Sequence, residues 1–258
     1  MRVYACQFDI AWEDKPANFA KVRRMLRGAA IPRGSLVVLP EMFAVGFSMN
    51  VAGIWEDEEG PTHRFLRETA RELGVFILGG VVARAPEGPG RNLAVVYSPT
   101  GERVASYQKI HPFTSGGETA HYERGEEIVL FDWQGVSVAP FICYDVRFPE
   151  VFRAAVLRGA QVYTVIASWP AHREDVWATF LRARAIENQA YVAGVNRCGD
   201  DPNLPYSGRS LIISPRGEVL ADAGSEETVV GAEIDLAAQE AYRRELPVLK
   251  DMRRRSWY

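Results

Sequence analysis

Short apolar runs and segments of helical periodicity take turns along this chain. RVYACQFDI predicts a first strand, and PANFAKVRRMLRGAA, with Phe19, Val22, Met25 and Leu26 on one face, predicts a helix. SLVVLPE reads as a short buried strand. THRFLRETARELG is helical, with Phe65, Leu66, Ala70 and Leu73 at helical spacing and Gly74 placed to cap it. VFILGGVVAR predicts a strand, and NLAVVYSPTGERVASYQK predicts two strands joined by a Pro-Thr-Gly turn. The loop IHPFTSGGETAHYERGEE, rich in glycine and polar residues, follows.

The second half repeats the style. EIVLFDWQGVSVAPFI reads as a strand pair, FPEVFRAAVLRGA as a helix, QVYTVIAS as a strand, EDVWATFLRARAIENQA as a long helix and YVAGVNR as a strand. GRSLIISPRGEVLADAG predicts two strands around a Pro-Arg-Gly turn, TVVGAEIDL a last strand, and the tail begins helical and ends basic. The mixture of βα units and hairpins points to layered α/β structure with mixed sheets. So many strands are better housed in two facing sheets with helices outside than in one. The halves look alike in outline without a clear sequence repeat.

Composition narrows the picture. The 258 residues suffice for one large domain, and no Ser/Gly-rich linker divides them. A net charge of -3 argues against a general nucleic-acid binder, which needs a basic surface. No apolar run approaches the ~20 residues of a membrane span. Three widely spaced cysteines, Cys6, Cys143 and Cys198, form no CxxC pair, and His63, His111, His121 and His172 lack metal-binding spacing. No metal, a cytoplasmic setting and free thiols are therefore expected.

Three residues then stand out, each at the end of a strand-like run. Cys143 lies between an apolar run and a helix-like one, where a thiol can be lifted from the core toward a substrate and N–H groups gather. The polar Tyr144, Asp145 and Arg147 follow it, whereas Cys6 among apolar neighbours reads as core and Cys198 as a loop or near-site residue. Glu41 ends SLVVLPE; the next residues, Met42, Phe43, Val45, Gly46 and Phe47, read as pocket wall, and apolar surroundings would suit a general base. Lys109 is one of only four lysines, with Lys15, Lys21 and Lys250, and an aromatic loop follows it. Glu118, in SGGETAHY, reads on its own as a solvated loop carboxylate.

Taken together, LPEMF around Glu41, YQKIHPF around Lys109 and FICYDVRFPE around Cys143 resemble the nitrilase, or carbon–nitrogen hydrolase, superfamily. The resemblance covers almost the whole chain. Within it, LPEMFAVGFSMN, GETAHYERG, SWPAHR and RAIENQAYVAG are most similar to the omega-amidase branch, especially its small bacterial members. The resemblance implies an αββα four-layer sandwich of two mixed sheets with outer helices, in a single domain over residues 1–258. It implies pairing into homodimers, with the segment from about 237 to 258 as a dimer-contacting tail, and no metal or organic cofactor.

It also implies that Glu41, Lys109 and Cys143 form a catalytic set, that Glu118 joins it, and that the Tyr144 N–H helps hold an oxyanion. Phe43, Phe113, Trp169 and Arg173 become substrate-binding residues. By analogy the substrate is a small dicarboxylic acid monoamide of the 2-oxoglutaramate or 2-oxosuccinamate type, cleaved through a cysteine thioester. Arg173 is then the candidate partner of the substrate carboxylate, and Arg147 is read as structural. The nearest rivals are an N-carbamoyl amino acid hydrolase, an aliphatic amidase or a nitrilase; a non-catalytic binding module and a redox-sensing thiol protein lie further off.

Overall fold

In the first strand, neighbouring residues enter different cores. Val3 and Ala5 belong to one buried cluster, Tyr4 and Cys6 to another. A strand turns successive side chains to opposite faces, so both faces of this sheet are covered. The computed structural model describes residues 1–84 and 88–253. The chain begins with β1 (Arg2–Gln7), α1 (Lys15–Gly28), β2 (Leu36–Val38), α2 (Val51–Ile54), α3 (Pro61–Leu73), β3 (Phe76–Arg84), β4 (Gly90–Tyr97) and β5 (Arg103–Gln108). It continues with β6 (Phe131–Trp133), β7 (Val136–Ile142), α4 (Pro149–Leu157), β8 (Val162–Ala167), α5 (Glu174–Asn188) and β9 (Tyr191–Asn196). It ends with β10 (Cys198–Asp200), β11 (Pro205–Ser207), β12 (Leu211–Ile213), β13 (Val219–Asp222), β14 (Thr228–Glu233), α6 (Leu236–Glu245) and α7 (Val248–Asp251).

Two six-stranded sheets result, ordered β14-β1-β2-β3-β4-β5 and β6-β7-β8-β9-β12-β13. Followed in those directions, both show one succession of pairings: antiparallel, parallel, parallel, antiparallel, antiparallel. The likeness of the two halves is thus a repeat of topology. Val3, Ala5, Leu36, Val38, Leu78 and Val96 of the first sheet join Val136 and Val138 of the second in one cluster, the middle of an αββα sandwich. Tyr4, Cys6, Val37, Ile77 and Val95 instead pack with Val22 and Leu26 of α1 and Phe65, Leu66 and Ala70 of α3. On the far side Phe152 of α4 packs on Phe141 and Tyr163. Each fully buried apolar side chain of this size contributes about 1.5–3 kcal/mol.

Local signals set the helix ends. The Asp14 carboxylate accepts the Ala17 N–H at the start of α1, and Gly74 ends α3 with φ +65°. Two expectations shift. The strand predicted from EIVLFDW starts only at Phe131, and Cys198 lies in the short strand β10, paired with Ser207 of β11, rather than in a loop. The tail carries α6 and α7, and its last residues, 254–258, lie outside the described residues.

Candidate active site

The parallel strands of both sheets aim their C-terminal ends at one place. Glu41 leaves β2 just beyond Pro40, and it can do so because its neighbour in β3 is Gly80. A Cβ at Gly80 would lie 2.2 Å from Met42 N and 2.8 Å from Glu41 Cα. Met42 takes φ +47°, and so does Cys143, which follows β7 directly and opens a 3-10 turn over Cys143–Arg147. A non-glycine residue held left-handed costs of order 1–3 kcal/mol, a strain that clusters at functional positions. Lys109 follows β5, and Glu118 begins a 3-10 turn, Glu118–Ala120, in the loop beyond.

These four residues converge. Lys109 Nζ donates to Glu41 Oε1 at 2.9 Å and to Glu118 Oε2 at 2.7 Å. Asn92 Nδ2 bridges the same carboxylates, at 2.7 Å from Glu41 Oε1 and 2.9 Å from Glu118 Oε1. The Ser168 N–H, at the end of β8, donates to Glu41 Oε2 at 2.8 Å, and the Phe113 N–H donates to Glu118 Oε2 at 2.6 Å. Glu41, Lys109 and Glu118 are buried. Burial alone would push the Lys109 pKa down; Glu118, then Glu41, more than reverse this and hold it well above its ordinary value. Burial, then Glu41, holds the Cys143 thiol well above its usual value, with Lys109 and the Ser168 N–H pulling the other way. The thiol therefore rests protonated and needs a base to become a nucleophile. A carboxylate able to take that proton lies close: Glu41 is the strongest charge acting on the thiol, and its Oε2 accepts from the Ser168 N–H at 2.8 Å.

Cys143 is the member of this group that opens on space. It lines a cavity of about 520 Å3, together with Phe47, Phe113, Arg147, Trp169 and Arg173. No group of three or more His, Cys, Asp or Glu side chains among the described residues is arranged to hold a metal ion.

The carbon–nitrogen hydrolase family model matches residues 2–244. The chain belongs to the carbon–nitrogen hydrolase family. It is 36% identical over 249 residues to the 2-oxoglutaramate amidase of Bacillus subtilis (strain 168), covering 96% of each chain. It is 36% identical over 253 residues to the omega-amidase YafV of Escherichia coli (strain K12), covering 97% of this chain and 96% of that one. Among solved structures it resembles XC1258 of Xanthomonas campestris, a CN-hydrolase superfamily protein with an arsenic adduct in its active site. The TM-score is 0.93 at 33% identity, over 100% of this chain and 99% of the other.

In this carbon–nitrogen hydrolase the sequence-predicted residues divide cleanly. Glu41, Lys109, Glu118 and Cys143 come together, and Tyr144, Phe113, Trp169 and Arg173 line the cavity. Phe43 does not. It is fully buried, with its ring 6.2 Å from Phe19 and 5.8 Å from Phe65. The left-handed turn at Met42 sends it into the helix-covered core, and Phe47, four residues on, takes the wall instead; Met42, Val45 and Gly46 do not line the cavity. The surroundings of Glu41 are N–H donors rather than hydrocarbon. Arg147, expected to be structural, faces the cavity.

Asn92 and Ser168 went unnoticed in the sequence, and so did the full part of Asp145. Its buried carboxylate accepts from Ile142 N at 3.1 Å, Tyr107 OH at 2.8 Å and His111 N at 3.0 Å. It thereby ties the turn at Cys143 to the segment carrying Lys109. The polar residue so soon after a cysteine was the available signal.

Proposed function

We propose that this protein is an omega-amidase, hydrolysing the terminal amide of a small dicarboxylic acid monoamide such as 2-oxoglutaramate or 2-oxosuccinamate. One observation carries the reading: a thiol that lines a cavity lies within the field of a buried carboxylate that also holds a buried ammonium. Names borne by the relatives support the substrate class.

Glu41 takes the Cys143 proton as the sulfur attacks the amide carbonyl. The developing oxyanion is held by Lys109 Nζ and by the Tyr144 N–H, which sits in the first turn of its 3-10 segment with its donor free of that turn's own bonding. Such a donor lowers the barrier by about 3–4 kcal/mol. The tetrahedral intermediate collapses, the C–N bond breaks, and Glu41 returns its proton to the leaving nitrogen as ammonia. Water then attacks the thioester with Glu41 as base, releasing the carboxylic acid and the thiol. Glu118 and Asn92 keep Lys109 in line. Phe113 and Trp169 flank the substrate.

Incubation with 2-oxoglutaramate is expected to release ammonia, and intact-mass analysis during turnover to find an acyl adduct on Cys143. None is expected on Cys6, whose buried thiol has its pKa pushed far up, or on Cys198, pushed up to about 11, both mainly by burial. Faster turnover of a nitrile or an N-carbamoyl amino acid would replace the substrate reading with a rival one. An adduct on another cysteine would end the mechanism.

The same reading takes residues 1–258 as one catalytic domain, because the catalytic set draws on both sheets. It also takes the protein as a homodimer. Leu157 of α4 and Ile186 of α5 are exposed, as are Leu246 just after α6 and Val248 of α7, an apolar set fit for an outer-helix contact. Light scattering should give twice the chain mass; the mass of one chain would refute the pairing. The three cysteines are unpaired, which suits a reducing cytoplasm; cell fractionation tests that placement.

A further inference from the structure

The sheet pairing of β8 ends just before the residue that reaches Glu41. The parallel ladder with β9 closes on Ala167 opposite Asn196, and Ser168, Trp169 and Pro170 lie beyond it. Backbone groups buried at such an exit need partners from elsewhere. Here one side chain supplies them. Asn196 Oδ1 accepts the Trp169 N–H at 2.7 Å, and Asn196 Nδ2 donates to Trp169 O at 2.9 Å. The amide thus holds both polar groups of one residue, as a neighbouring strand would. The second Nδ2 hydrogen goes to Gly208 O at 2.8 Å. Asn196 is 1% exposed and is not among the residues that line the cavity.

Asn196 is itself braced. Its N–H donates to Ser210 Oγ at 2.9 Å, and Ser210 donates to Gln7 Oε1 through both Oγ and its N–H, each at 2.8 Å. Gln7 Nε2 donates in turn to Gly224 O and Glu226 O, both at 2.9 Å. Gln7 belongs to β1, so this buried series starts in the first sheet, crosses to the second and returns to the first at Glu41. Gly208 is fitted to it: at φ +71°, a Cβ there would lie 2.3 Å from Gln7 Nε2. A buried polar network met this fully specifies one geometry.

The groups that depend on that geometry show what it serves. The Trp169 ring has anchors of its own, since Nε1 donates to Arg173 O at 2.8 Å and the ring stands 5.6 Å from that of Trp177. The Ser168 N–H has no such support. Trp169 precedes a proline, which favours an extended backbone, and along an extended chain successive N–H groups face opposite sides. The Trp169 N–H faces Asn196, and the Ser168 N–H faces Glu41 Oε2 at 2.8 Å. Clamping the first aims the second. The other carboxylate oxygen, Oε1, already accepts from Lys109 and Asn92. Oε2 is therefore the oxygen with room for a proton, and the Ser168 N–H orients it.

We propose that Asn196 is a positioning residue for Glu41, acting through the Trp169 main chain and the Ser168 N–H to hold the carboxylate ready for the Cys143 proton. This deepens the amidase reading and rests on it, because Glu41 is the base of that mechanism.

The test measures kcat and KM for 2-oxoglutaramate in Asn196→Ala, per molecule of reactive Cys143 counted by mass after complete alkylation. In this variant kcat is expected to fall about 10- to 100-fold with KM changed less than about threefold, the scale for a reacting group set slightly out of place. A loss carried mainly by KM would put the effect in the Trp169 wall, and an unchanged kcat would leave the side chain without a part; either result rejects the proposal. The initial rate of Cys143 alkylation by iodoacetamide adds an arm independent of turnover. It should fall by a similar factor, since the protonated thiol loses the help of its base. A turn that had merely come loose would expose the sulfur, so an unchanged or higher rate overturns the positioning role. If circular dichroism shows Asn196→Ala unfolded, Ser210→Ala decides, because it withdraws only the brace. There kcat about 3- to 10-fold lower with KM kept supports the proposal, and an unchanged kcat rejects it. Should the unaltered enzyme release no ammonia from 2-oxoglutaramate, the amidase reading fails, and the alkylation rates still rule on Asn196.

Discussion

Cys143→Ala is expected to lower ammonia release from 2-oxoglutaramate at least about 10⁴-fold, in line with removal of a nucleophile whose partners cannot act without it. The fold should survive. Alanine keeps the same Cβ at φ +47°, and the sulfur is a small part of the large core around it. A stability change of about 1 kcal/mol is the expected scale, read from a urea melt. Turnover above one part in about a hundred in a protein cleared of wild type would contradict covalent catalysis, since general-base attack by water alone falls far short of that.

Lys109→Met is the second large effect, and it touches stability as well as rate. The change leaves Glu41 and Glu118, both fully buried and bridged by Asn92, without their cation. Breaking such a buried pair destabilises by about 3–5 kcal/mol. Activity should fall at least about 10³-fold with the oxyanion donor gone.

The pH dependence identifies the cause. In the native protein the Lys109 pKa is raised, so its contribution is complete below the unfolded value of about 10.4 and is lost only as pH rises through the folded one. In the variant, crowded carboxylates bind a proton more readily than in the unfolded chain. Its deficit should therefore shrink as pH falls from 8 toward 5. Adding Glu118→Gln to Lys109→Met should restore stability in part and activity not at all. A deficit that does not vary with pH would mean that lost packing, not orphaned charge, is the cause.

Glu41, Lys109 and Cys143 were legible because each sets a reactive group at the end of a strand-like run. That contrast survives translation into structure: strands bury their bodies and expose their ends. Glu118 was legible only through resemblance. Nothing in SGGETAHY says that its loop folds inward, where Lys109, Asn92 and the Phe113 N–H make its burial tolerable. Phe43 was misjudged for a related reason. A single left-handed residue, Met42, redirects the chain, and periodicity carries no sign of it. Asn92 looked like the polar start of NLAVVY, whereas it is an inward rung of β4 whose amide finds two carboxylates. The sheets themselves were read well, but their common pairing order was not, since topology can repeat without any residue repeating.

The acid hangs from one sheet and the sulfur from the other, and they meet where the strands of both end. Neither layer owns a working centre. A fragment, or a molecule whose layers have slipped, holds half a reaction and performs none of it. Heat can therefore thin the population of competent molecules but cannot produce a sluggish intermediate form. Whatever survives a partial inactivation should work at full speed.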